Sequence, residues 1–113
     1  DLEAKARLGN ESEASSLLLA LQQNRDPNAQ ASGNTGNALI EEILVERRKE
    51  LYGEMGVEWF DAKRLRKGIT RTGNHRVKST ANLLPDDKKF FLKIPQKEID
   101  ANPLIDDAIN NGR

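Results

Sequence analysis

Few side chains in this 113-residue chain can do acid–base or nucleophilic chemistry, and their placement narrows the choice further. Histidine occurs once, at His75, within a basic stretch, so neither a histidine-dependent triad nor a multi-histidine metal site can be assembled from this chain alone. Cysteine is absent, which removes disulfides, thiolate metal sites and a cysteine nucleophile. Glu54, Glu58 and Asp61 fall close together, and a pair of carboxylates is the machinery of glycoside hydrolysis. Acids spaced around a helix are ordinarily solvent-facing or ion-paired, and that is the reading adopted for these three. No phosphate-binding glycine loop, zincin motif or nucleophile elbow is present. No catalytic, cofactor-binding or metal-ligating residue is therefore assigned.

Three other groupings suggest binding. Lys63 to Lys78 holds seven Lys or Arg and no acid, yet it lacks the interleaved aromatics that stack on bases. Eighteen basic residues balance eighteen acidic ones over the whole chain, so no nucleic-acid partner is expected. Arg47 lies on the apolar side of a helix, so its guanidinium should be partly buried in an ion-pair network, with Glu50 or Asp61 as its counterion. The five aromatics form two clusters, Tyr52, Trp59 and Phe60, then Phe90 and Phe91. Exposed rings serve as sugar platforms, but in a chain with only 4% aromatics they are expected in the core.

The elements that carry these residues are helical. Residues 1–9 are helix formers closed by Gly9, and Asn10 or Ser12 can cap a second helix with Ala14, Leu17, Leu18 and Leu21 on one stripe. These two read as an antiparallel hairpin. Asn24–Asn37 is a polar, small-residue loop, after which Thr35 or Asn37 caps a helix from Ala38 to about Gly53. Leu39, Ile40, Ile43, Leu44, Arg47 and Leu51 share its broad face. A shorter helix, Val57–Lys67, points Val57, Phe60 and Leu65 inward with Trp59 beside them, and Gly68 ends it. Residues 69–89 read as irregular, Phe90–Ile94 as extended before Pro95, Gln96–Ala101 as one helical turn, and the final INNGR as frayed. No apolar run approaches the ~20 residues of a membrane span.

Three blocks within these elements carry a likeness. Ile43-Leu44-Val45-Glu46-Arg47-Arg48-Lys49-Glu50-Leu51, then Glu54 and Trp59-Phe60-Asp61-Ala62-Lys63-Arg64, resembles the SusD/RagB family of surface lipoproteins. Leu92–Pro103, LKIPQKEIDANP, is similar to that family's closing segment, and the opening EAKARLGN resembles the tetratricopeptide-type helices that precede it. Glu58 stands where the family commonly has a basic residue. The resemblance implies an all-α fold, with tetratricopeptide-like hairpins over residues 1–67 and a long, mostly irregular arm over 68–113. It implies a single domain, residues 1–113, that is the C-terminal portion of a longer protein. It further implies a surface-exposed protein of the bacterial outer membrane, held there by a lipid anchor outside this stretch. Such a protein would capture oligosaccharide without cleaving it and deliver it to a SusC-like TonB-dependent transporter, with no cofactor. The glycan contacts of the family come largely from other regions, so no residue here is assigned as a sugar ligand. A helical protein-interaction scaffold is the alternative.

Overall fold

A computed structural model describes residues 1–71, 73 and 82–110. The chain divides into two compact units, Asp1–Val57 and Glu58–Arg113. All regular structure among the described residues is helical apart from one isolated antiparallel bridge between Ile69 and Leu83.

The first unit contains α1 (Leu2–Arg7), α2 (Glu11–Gln23) and α3 (Gly36–Glu50), which all pack on one another. Gly9 ends α1 as its sequence position suggests. Its φ is +83°, the Gly9 amide donates to the Ala6 carbonyl, and the Asn10 amide reaches back to Lys5 at 2.9 Å. That pair of bonds satisfies carbonyls left over at the helix end. Asn10 then sits at the N-cap of α2, so three residues turn one helix into the next. The core is Ala6, Ala14, Leu18, Leu39 and Ile43, with Leu2 and Ile40 against it. Leu17, expected on the buried stripe, is partly exposed, while Leu21 is half-buried.

Helix α3 begins at Gly36, two residues ahead of the expected Ala38, and ends at Glu50 rather than Gly53. Thr35 occupies the N-cap position, but its side chain makes no capping bond. The Gly36 amide donates instead to Glu11 Oε1 at 2.9 Å, so a carboxylate from the start of α2 supplies the acceptor that a helix N-terminus favours.

The second unit is built on α4 (Val57–Arg64) and α5 (Gln96–Ala101). Its core is Ala62, Leu83 and Phe90, with Trp59 and Ile69 packed against it. Helix α4 stops earlier than expected, and Arg66, not Gly68, makes the stop. Arg66 takes the left-handed conformation at φ +51°, and the Arg66 and Lys67 amides donate to the Lys63 and Ala62 carbonyls. Gly68 has a different purpose: a Cβ there would lie 2.4 Å from the Leu83 carbonyl oxygen. The absent side chain lets residue 69 pair with residue 83 through bonds of 2.8 and 2.9 Å.

Of the final INNGR, expected to fray, Ile109 and Asn110 are anchored, while residues 111–113 lie outside the described residues. Asn110 Nδ2 donates to the Ile94 carbonyl at 3.0 Å, and its Oδ1 accepts from the Ile94 amide at 2.9 Å. Ile109 and Asn110 close a short 3₁₀ turn from Asp107.

Candidate functional site

Helix α3 presents Glu42, Glu46 and Glu50 at intervals of one turn, and the preceding loop is tied to all three. Glu46 is the buried charge of the chain's described residues, with 3% of its surface exposed. Its carboxylate meets the Arg25 guanidinium, and Lys49 Nζ lies 3.2 Å away. Arg25 also holds Glu50 at 2.9 Å. Arg47 is half-buried, as its place on the apolar side of the helix suggests; of the two acids named for it, Glu50 pairs with Arg25 and Asp61 with Arg64 at 2.7 Å. Glu42 accepts from the Ser32 hydroxyl and from Asn34 Nδ2 at 2.8 Å. Chiefly the Ser32 bond, helped by Asn34 and Gln22 and opposed by burial, holds the Glu42 carboxyl below its ordinary range. Every one of these acids is satisfied by the fold, so the stripe clasps a loop.

Glu54 and Glu58 are exposed, and Asp61 is engaged by Arg64. Among the described residues no group of three or more His, Cys, Asp or Glu is placed to hold a metal ion. His75 and the end of the basic stretch, Asn74–Lys78, lie outside the described residues.

The aromatics are distributed differently from expectation. Trp59 does pack, its ring 4.8 Å from that of Phe90, which is buried. Tyr52, however, is 86% exposed, Phe60 63% and Phe91 50%, so three of the five rings face solvent. On α4 the inward residues are Trp59 and Ala62 rather than Phe60. Packing against Phe90 and Leu83 selects that face, a constraint that an eight-residue helix cannot announce by its own periodicity.

The exposed ring of Phe91 borders a shallow cleft of about 50 Å³ lined by Ala62, Lys63, Arg66, Asp86, Phe90 and Phe91. Lys63 Nζ stands 4.9 Å from the centre of the Phe91 ring, within the range of a cation–π contact. Arg66 Nε lies 3.1 Å from Asp86 Oδ1. The sequence pattern points to the basic residues and to the Glu46–Glu50 stretch but not to Arg25 or Asp86. The only local signal for Asp86 was the Pro85-Asp86-Asp87 turn, in which it adopts φ +60°.

The chain matches no protein-family model, no curated protein and no solved structure. No helix among the described residues is long and apolar enough to cross a membrane.

Proposed function

We propose that this chain is the C-terminal portion of a SusD/RagB-like protein that captures oligosaccharide without cleaving it and passes it to a TonB-dependent outer-membrane transporter. The reading is carried by three sequence blocks in the family's order: EAKARLGN, the ILVERRKEL to WFDAKR stretch, and LKIPQKEIDANP. In this reading α1 and α2, joined by a three-residue turn, are a helical hairpin of tetratricopeptide type. The exposed rings of Tyr52, Phe60 and Phe91 support it, because a solvent-facing aromatic gives the apolar face of a sugar something to lie on. The engagement of Asp61 by Arg64 argues against a free catalytic pair and so favours binding over hydrolysis. The protein would reach the membrane surface through a lipid anchor outside this stretch, and nucleic acid is not among its partners.

The test is affinity electrophoresis of the gene product through gels containing plant or host polysaccharides, with reducing ends assayed in the same samples. Retardation by at least one polysaccharide with no release of reducing sugar is expected. Release of reducing sugar would place the protein among glycosidases, and free migration through every gel would favour the interaction-scaffold alternative.

A further inference from the structure

The glycan-capture reading leaves open what kind of sugar this chain would touch, and the cleft beside Phe91 bears on that. We propose that this cleft anchors the carboxylate of an acidic sugar residue, an inference that rests on the glycan-capture reading. Its size is the first reason. About 50 Å³ is far below the ~300 Å³ at which ligand pockets begin, so it takes a carboxylate-sized group and not a pyranose ring. The ring must remain outside, where the half-exposed face of Phe91 is the apolar surface within reach.

Charge is the second reason. Residues 63–71 carry five basic side chains and no acid. Lys63 meets the Phe91 ring and has no carboxylate partner among the described residues, so it is positioned without being neutralised. Arg66 is held from its backbone, since it makes the left-handed stop of α4, and its guanidinium offers the paired donors that suit a carboxylate. Its present partner is Asp86. With side chains 77% and 61% exposed, that pair is well solvated and weakly held. An incoming carboxylate can therefore take the place of Asp86 at small cost. Beneath them Phe90, buried and packed on Trp59, gives the cleft a fixed floor.

Asp86 in this account is a stand-in for the ligand, which sets an unusual expectation. The gene product is titrated calorimetrically at low salt with trigalacturonate and with its methyl ester, the same trisaccharide without charge. The acid should bind about tenfold tighter than the ester, as one charge-assisted contact provides. Lys63→Gln should weaken the acid about tenfold and leave the ester unchanged, while Lys63→Arg retains binding. Asp86→Asn should tighten the acid about threefold by freeing Arg66, which a purely structural Asp86 would not do. Equal affinity for acid and ester, or weaker binding after Asp86→Asn, would overturn the proposal while leaving glycan capture intact. Triglutamate binding as tightly as trigalacturonate would overturn the sugar assignment. Failure of trigalacturonate to bind overturns the proposal alone when another polysaccharide retards the protein, and both readings fall when none does.

Discussion

Replacing Arg25 with alanine should be among the most damaging changes available at a residue that looks, in sequence, like an ordinary loop arginine. Glu46 has 4% of its side chain exposed, and Arg25 is the cation that meets it from the loop. Without Arg25 the carboxylate retains Lys49, whose side chain is 61% exposed. Breaking a fully buried ion pair from one side costs ~3–5 kcal/mol, and breaking a surface pair ~0–1 kcal/mol. Arg25 is 43% exposed, so its own charge is partly hydrated and the effect falls between these limits. We expect about 2 kcal/mol. Arg48→Ala, on the exposed side of the same helix, should cost about 0.5 kcal/mol or less. Urea unfolding followed by circular dichroism at the helical minimum measures both. The double change Arg25→Ala with Glu46→Leu should recover most of the loss, because a buried pair replaced by apolar groups of similar volume is often neutral. If Arg25→Ala and Arg48→Ala proved equally mild, or if the double variant were worse than Arg25→Ala alone, the reasoning would be refuted.

Other consequences are more local. Ionised Glu42 favours the folded state because its folded carboxyl titrates below the ordinary range, so its contribution is full above about pH 4.5 and fades as pH falls through the lowered value. The stability difference between wild type and Glu42→Gln should therefore shrink between pH 5 and pH 3 in urea titrations, and a constant difference would count against the Ser32 and Asn34 clasp. Gly68→Ala would put a Cβ 2.4 Å from the Leu83 carbonyl and should cost ~1–3 kcal/mol, read from the fluorescence of Trp59, the sole tryptophan. An unchanged midpoint there would mean the 69–83 bridge is dispensable. Phe90→Ala should cost ~3 kcal/mol or more and Tyr52→Ser under ~0.5 kcal/mol, and the reverse order would return Tyr52 to the core.

Those contrasts also show what a single sequence can and cannot reveal about this molecule. The Gly9 stop, the turn through Asn10 and the buried positions Ala14, Leu18, Leu39 and Ile43 were legible because each follows from local rules of conformation and period. The partial burial of Arg47 was legible too, because the apolar stripe, extended one more turn from Ile43, reaches position 47. The deeper burial of Glu46, in line with Leu39 and Ile43, was not, since it depends on Arg25, whose pairing across the loop has no local signature. Phe60 was assigned inward for a similar reason. An eight-residue helix offers two plausible faces, and the distant Phe90 decides between them. Arg66 ending α4 in place of Gly68 reflects a competition between two residues two positions apart, resolved by the close approach of Leu83 to Gly68. As for the candidate cleft, its basic half was visible as a charge run, while Asp86 and Phe91 join it only through the fold.

The central claim is capture without cleavage, and one measurement addresses it directly. The gene product is titrated calorimetrically with the polysaccharide fragment that retards it most, and the same sample is then analysed by chromatography for chain length and reducing ends. Saturable binding at micromolar strength, about 8 kcal/mol, with every oligosaccharide recovered at its original length is the expected result. Shortened chains accumulating in proportion to protein concentration, or an absence of binding heat with every fragment tried, would contradict it.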